Sequence, residues 1–169
     1  NLADLKGLKI RVMGGEADAM TWQVFGAIPA PMPYSEVYSA LQAGVIDGAE
    51  NEPASILANR FYETASYFAN TKHLVLPMGL FLSHNVYGGL TKKEQDAIKE
   101  AANEAAAWQR SMMGERNASA ITEMTEKHGV TISNLDASAL QGKGADIQNK
   151  VAKKLGVQDL LASVRKASK

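Results

Sequence analysis

Apolar and polar residues alternate along this chain with two different periods. Runs in which every second residue is apolar predict β-strands, and apolar residues three or four positions apart predict helices. Strands are predicted at 8–12, 45–51, 72–82 and 130–133, with helices at 16–25, 36–43, 54–68, 91–127, 146–154 and 157–167 and a weaker helix from Asp136. The almost wholly apolar 72–82 run is typical of one or two buried strands. Strands that alternate with helices indicate an α/β fold with a largely parallel sheet.

The longest helical pattern begins at Thr91 and Glu94, which have the spacing of a capping box. Gly129 is expected to end it, and Gly114 lies inside it as a point of weakness. At about 1.5 Å per residue this helix would exceed roughly 50 Å, which is longer than one small lobe is wide. It is therefore expected to bridge two lobes or to pack outside one.

Two shorter elements also carry end signals. Ser35 is expected to be the N-cap of the 36–43 helix, and the prolines at 28–33 predict an extended stretch before it. Pro53 suits the first position of the next helix.

Residues 1–7 have the character of a linker and turn, without an initiator Met or a visible leader. We therefore expect that a further segment precedes Asn1 in the full gene product.

Composition limits the classes of function. The chain has 169 residues, and its 18 Lys and Arg balance its 18 Asp and Glu. A zero net charge argues against a nucleic-acid partner. No run of about 18 apolar residues predicts a membrane span. The absence of cysteine excludes disulfides, thiolate metal sites and Cys nucleophiles, and it fits an oxidising compartment.

Arg11 is the first candidate for ligand binding. It lies near the carboxyl end of the first predicted strand, just before the Gly14-Gly15 turn. Ligands of open α/β sheets bind outside the carboxyl ends of the strands. A guanidinium group there matches the geometry of a carboxylate. The structural alternative is a solvent-facing arginine at the end of a strand.

Other polar candidates follow the next elements. Asn51 ends a polar segment at 47–51 and has the groups to bind a polar ligand, although Asp, Gly and Asn also favour turns. Tyr34 would either line a ligand cleft or pack on its own helix. His73 is placed to face a cleft at a strand start, with a structural histidine as the alternative. The histidines share no ligand spacing, and no phosphate loop or nucleophile elbow occurs, so neither a metal nor a cofactor is expected.

Several of these segments together resemble one family. They are Leu5–Val12, Pro31–Tyr38, Ala40–Asn51, Phe61–Glu63 and the capped helix at Thr91–Ala107. This combination is similar to the DctP-type substrate-binding subunit of TRAP (tripartite ATP-independent periplasmic) transporters, and the likeness covers essentially the whole chain. It implies a periplasmic, two-lobed protein that closes on an organic acid and delivers it to the membrane subunits of a transporter. The fold expected is a lobe of the type II periplasmic binding proteins with one lobe-spanning helix.

The resemblance also implies a division of the chain and roles for particular residues. The chain would be the carboxy-terminal part of the protein, with 1–78 mainly second lobe, 79–135 a return segment and long helix, and 136–169 terminal helices. The family arginine at the Arg11 position binds the ligand carboxylate. Asn51 would contact the ligand, and Tyr34 would line the cleft. Without the first lobe, a truncated chain is expected to self-associate.

Departures from the family pattern bear on the ligand. Met13 begins a glycine-rich turn that either makes room for a bulkier ligand or only loosens the chain. Glu52 stands where small or apolar residues are usual, and its carboxylate would accept hydrogen bonds from hydroxyl groups. A sugar acid is therefore the expected ligand class, and the segments Asn51–Leu57 and Thr71–Leu76 look most like uronate-binding members.

Two alternatives remain open from the sequence. One is an α/β enzyme acting on a carboxylate substrate, with Glu50 or His73 as general base. The other is a ligand-sensing module that signals to a receptor instead of feeding a transporter. The lack of nucleophile and metal motifs disfavours the first, and the sequence does not separate the second from transport.

Overall fold

A computed structural model describes residues 2–135 and 137–167, with a regular backbone over most of their length. The strands are β1 (Lys9–Val12), β2 (Ile28–Pro31), β3 (Gly48–Ala49), β4 (Tyr67–Asn70) and β5 (Thr131–Asn134). The α-helices are α1 (Glu16–Val24), α2 (Val37–Gln42), α3 (Pro53–Ala58), α4 (His84–Gly88), α5 (Lys92–His128), α6 (Ala137–Leu155) and α7 (Gln158–Ala167). Short 3-10 turns cover Leu2–Leu5, Tyr34–Glu36 and Phe61–Glu63. None of the described helices is long and apolar enough to cross a membrane.

Three parallel strands form the sheet that contains Arg11, in the order β2-β1-β3. Arg11 lies beside Ala30 on one side and Ala49 on the other. The proline-spaced stretch is an edge strand here, where prolines that cannot donate to a ladder are tolerated. A side chain at Gly48 would meet Ile10 Cδ1 at 3.0 Å, so glycine allows the close approach of β3 to β1.

Alternation along β1 sends its side chains to two separate cores. Ile10 and Val12 pack with Trp22 and Phe25 on the face that α1 and α6 cover. On the other face lies a second cluster, formed by Val37, Leu41, Ile46 and Phe61. Arg11, pointing away from Ile10 and Val12, is directed towards this second face.

The long helix α5 has the ends that the sequence predicts. Thr91 Oγ1 accepts from Glu94 N at 3.4 Å, while Glu94 Oε2 accepts from Thr91 N at 2.8 Å. Gly129 ends the helix in the left-handed conformation, with φ of 66°. Gly114 does not interrupt it. The helix leads into β5, which pairs in parallel with β4.

The buried strands predicted at 72–82 are wrong. Residues 71–83 have neither helix nor strand, and their apolar side chains are exposed: Val75 by 89% and Phe81 by 91%. An apolar run marks a segment that gains from burial, but only a neighbouring element can bury it. The described residues place no such element over this run.

Three predicted helix boundaries are also wrong. The 54–68 helix ends at Ala58, because Arg60 has a left-handed φ of 58° that α-helix does not allow. Ser35 lies inside a 3-10 turn, and α2 starts at Val37 without a side-chain cap. The 146–154 helix is part of the longer α6. The predicted helix start at Asp136 lies outside the described residues.

Candidate functional site

The carboxyl ends of the three parallel strands converge on one edge of the sheet. Directly beyond them come Met13 after β1, Tyr34 after β2, and the acidic and amide side chains of 50–52 after β3. This is the edge at which open α/β sheets bind ligands, because successive strand ends leave a crevice there. Met13 is half-buried at this edge.

Arg11 is the one fully buried charged residue among those described, with 5% of its surface exposed. Its Nε and Nη2 donate to the carbonyl oxygen of Met32 at 3.1 and 3.0 Å. The guanidinium carries further N–H groups, and in the described part of the chain no acceptor or carboxylate pairs with them. The group is thus fixed on one side and available on another. The alternative in which Arg11 faces solvent at the end of a strand is therefore excluded.

Tyr34 lies over the Arg11 guanidinium, with Arg11 Cζ 5.6 Å from the ring centroid. Its ring also packs against Phe61, at 5.6 Å between centroids, and its hydroxyl accepts from Asn59 Nδ2 at 2.9 Å. Burial, and then the nearby Glu52 carboxylate, raise the pKa of the Tyr34 phenol. With 38% of its surface exposed, Tyr34 still presents area to a ligand.

Asn51 and Glu52 form the turn between β3 and α3. Asn51 Oδ1 accepts from Glu52 N at 2.9 Å, which is the turn chemistry expected of an asparagine. Glu52 Oε1 accepts from Ser55 Oγ at 2.7 Å. The side-chain oxygen of Asn51 is thus hydrogen-bonded within the turn. Its amide N–H groups have no acceptor among the described residues. The structural and ligand-binding roles of Asn51 are therefore compatible.

Helix α3 is held in place by the long helix. Asn117 Oδ1, on α5, accepts from Ala54 N at 3.1 Å and so satisfies one of the free donors at the start of α3. Pro53 occupies the first turn, as predicted. Helix α3 begins directly after Glu52 and ends next to Asn59. Its position therefore determines where both of these residues lie at the site.

Glu50 and His73 form a second polar pair, 3.8 Å apart between Oε2 and Nε2, with both side chains 13% exposed. Burial, reinforced by Asp18, raises the pKa of Glu50 from 4.5 to about 7, although Arg11 opposes the shift. Burial lowers the pKa of His73. His73 Nδ1 lies 2.7 Å from Thr71 Oγ1, and its ring meets Trp22 edge-on at 5.0 Å.

The predicted site residues fall into these contacts as follows. Arg11 and Tyr34 touch, Asn51 and Glu52 share a turn, and His73 lies beside Glu50. From the sequence, Glu50 was a candidate only as a general base. Asp18, Asn59 and the Met32 carbonyl were not predicted as parts of the site. Asp18 follows the first strand by a few residues in the first turn of α1, so the rule that ligands bind beyond strand ends would have included it. Asn59 has no such signal.

Within residues 2–135 and 137–167 no group of three or more His, Asp or Glu side chains is arranged to hold a metal ion. The arrangement instead offers a buried cation, amide donors and carboxyl groups around a partly exposed aromatic ring. Such a set is suited to holding a polar anion reversibly.

Comparisons with known proteins identify the family. The model of a family described as DctP, bacterial extracellular solute-binding protein, family 7, matches residues 1–155. A solute-binding protein from Sulfitobacter sp. (strain NAS-14.1) is 34% identical over 163 residues, which are 96% of this chain and 49% of that protein. The chain thus spans about half the length of such a relative.

Solved structures agree with the fold. A TRAP periplasmic solute-binding protein from Chromohalobacter salexigens with bound D-glucuronate matches with a TM-score of 0.92 and 34% identity, over 99% of this chain and 56% of that one. Another from Sulfitobacter sp. NAS-14.1, with bound β-D-galacturonate, has a TM-score of 0.87 and 32% identity, over 94% and 53%. The expected α/β class with parallel sheets and one very long helix is confirmed. The chain belongs to the DctP family of bacterial extracellular solute-binding proteins.

Proposed function

We propose that the protein captures an organic acid anion in the periplasm, most specifically a sugar acid of the uronate or aldonate type, and delivers it to a TRAP-type membrane transporter. The observation that carries this proposal is Arg11, a buried guanidinium whose remaining N–H groups lack a carboxylate partner among the described residues. A buried cation is costly to leave without a counter-charge. The carboxylate of a ligand would supply it.

The neighbouring carboxyl group supports an anionic ligand. Near pH 7 Glu50 is close to half protonated, because its pKa is raised to about 7. It therefore neutralises Arg11 only in part, and a ligand carboxylate need not compete with a fully ionised side chain. A charge-assisted hydrogen bond of this kind contributes about 1.5–3 kcal/mol net.

Hydroxyl groups of a sugar acid would find partners close by. The Asn51 amide donates, while Glu52 is an acceptor already oriented by Ser55 at 2.7 Å. Tyr34 adds apolar contact area against a ring or carbon chain. The uronates bound in the structures from Chromohalobacter salexigens and Sulfitobacter sp. support the same ligand class.

The remaining site residues take supporting roles in this proposal. Met13 would lie against the ligand at the glycine-rich turn, and His73 would complete the wall beside Glu50. The 169 residues would form the carboxy-terminal part of a two-lobed receptor, divided at 1–78, 79–135 and 136–169. Helix α5 supports that division, since its 37 residues extend over about 55 Å.

A calorimetric ligand series tests the proposal in the longest natural form of the protein that contains these residues. We expect D-glucuronate and D-galacturonate to bind, while D-glucose and D-galactose, which lack the carboxylate, bind at least about 100-fold more weakly. Equal binding of neutral and acidic sugars would remove the role of Arg11. A thermal-shift screen over other organic acids then ranks the ligands, because binding stabilises the native state.

A second candidate function rests on Glu50. A carboxyl group with a pKa raised to about 7 has the value that general bases use near neutral pH, and His73 lies beside it. An α/β enzyme acting on a carboxylate substrate would use this pair. Incubating the protein with uronates and following them by NMR separates the two functions, since a receptor returns its ligand unchanged and an enzyme accumulates product.

A further inference from the structure

Three contacts define the position of the Tyr34 ring, and Asn59 makes the most directional of them. Asn59 Nδ2 donates to Tyr34 Oη at 2.9 Å and to the Ser55 carbonyl oxygen at 2.9 Å. A side-chain amide nitrogen carries two hydrogens, so both are used. Because Ser55 belongs to α3, the amide is tied to the helix by one hydrogen and holds the phenol by the other. The orientation of Asn59 is thus set by the backbone.

The chain direction after α3 explains why Asn59 and Phe61 both reach Tyr34. Asn59 is the C-cap of α3, and Arg60 follows in the left-handed conformation with φ of 58°. This reversal turns Phe61 back, where its ring lies 5.6 Å from that of Tyr34. Phe61 is buried, at 6% exposure. The turn at Arg60 thus brings a polar contact and an apolar contact to one aromatic side chain.

The third contact is with the binding group itself. Arg11 Cζ lies 5.6 Å from the centroid of the Tyr34 ring. A cation over an aromatic face is stabilised only while the ring keeps its orientation. Tyr34 is 38% exposed, so packing alone does not fix it. A ring that is already oriented also costs less entropy when a ligand binds.

We infer that Asn59 is a positioning residue, which holds the Tyr34 ring over Arg11 and so preorganises the anion site without touching the ligand. The effect on ligand affinity rests on the proposed function, whereas the effect on Tyr34 does not. Asn59 acts through the Tyr34 hydroxyl, and its contribution therefore disappears when that hydroxyl is absent.

A double-mutant cycle in the longest natural form of the protein tests this inference. Asn59→Ala is expected to weaken D-glucuronate binding about 3- to 10-fold in the presence of Tyr34, the effect of one net hydrogen bond. In the Tyr34→Phe background it is expected to change affinity less than about 2-fold, since coupled residues are not additive. Equal losses in both backgrounds would overturn the inference. Asn103→Ala, at an exposed position of α5, is the matched control and leaves affinity unchanged.

A second measurement reads the contact without any ligand. With tyrosine labelled at Cζ and the Tyr34 signal assigned through Tyr34→Phe, NMR follows the phenol titration. The Asn59 donor stabilises the phenolate, so Asn59→Ala raises the pKa of Tyr34 further. An unchanged Tyr34 titration in a folded variant contradicts the inference. If no uronate binds but this pKa rises, the proposed function fails and the positioning contact stands.

Discussion

Glu50 Oε2 lies 3.8 Å from His73 Nε2, and burial disfavours the charged form of both groups, so they do not form a full ion pair near pH 7. The distance is too long for a good hydrogen bond. Burial is the largest cause of both shifts: it raises the pKa of Glu50 to about 7 and lowers that of His73. Desolvation therefore outweighs their mutual attraction. The pair gives the stability of the protein two opposing dependences on pH.

Glu50 is expected to destabilise the protein at alkaline pH. Its folded pKa of about 7 lies above the ordinary 4.5, so its contribution to stability is fully present below pH 4.5 and is lost as the pH rises through 7. A Glu50→Gln variant keeps the shape without the charge. We expect it to be more stable than the parent by about 2 kcal/mol at pH 8, allowing for partial solvent access to the carboxyl group.

Urea denaturation at pH 5, 6, 7 and 8 checks this expectation, with the difference between parent and variant growing through the series. Glu104→Gln, at an exposed position of α5, serves as the control and should give a pH-independent difference. A Glu50→Gln difference that is constant with pH would show that the Glu50 carboxyl group titrates normally.

His73 is expected to act in the opposite direction. Its folded pKa is lowered, so its contribution is present above the ordinary 6.5 and is lost as the pH falls below that value. His73→Gln should therefore lose less stability than the parent between pH 7 and pH 5, measured by the same urea series. Comparison with Glu50→Gln separates the two groups. Equal losses in the parent and His73→Gln over that interval would mean that the pKa of His73 is the same in the folded and unfolded chain.

Arg11 is the residue whose substitution should affect binding most. Arg11→Met retains much of the apolar stem but removes the charge, and we expect D-glucuronate affinity to fall about 10- to 150-fold. Arg11→Lys keeps the charge without the planar fork and should be intermediate. Calorimetry in the longest natural form of the protein measures both. Arg110→Met on the exposed side of α5 is the control, and an equal loss in that variant would point to a general charge effect.

The parts of the fold that the sequence predicts well are those whose cause is local. The Thr91–Glu94 box and Gly129 act within a few residues of the helix they end, and the α5 boundaries follow from them. Arg11 was placed correctly because alternation along one short strand decides which way it points.

The errors have long-range causes. The 54–68 pattern continues past Ala58, but the backbone reverses at Arg60 because Phe61 packs into the core of α2. Asn59 contacts Tyr34 across 25 positions of sequence, and no local pattern predicts such a pair. Asp18 likewise raises the pKa of Glu50 from a distant part of the sequence, so local periodicity does not predict this interaction. Residue type and periodicity indicate which residues favour burial or polar contact, but the packed structure decides their partners.

The 169-residue chain on its own is expected to self-associate through its exposed apolar segment at 74–82. Val75, Met78, Leu80 and Phe81 are each more than 80% exposed, a density of apolar surface that water disfavours. Light scattering after size exclusion should therefore give a mass above the 18.1 kDa of one chain. Replacing Leu80 and Phe81 with Ser should shift the population towards the monomer, whereas replacing Ala106 and Ala107 on the exposed side of α5 should not. A parent chain that stays monomeric across the concentration range would contradict the role of this segment, because the same side chains would then be tolerated in water.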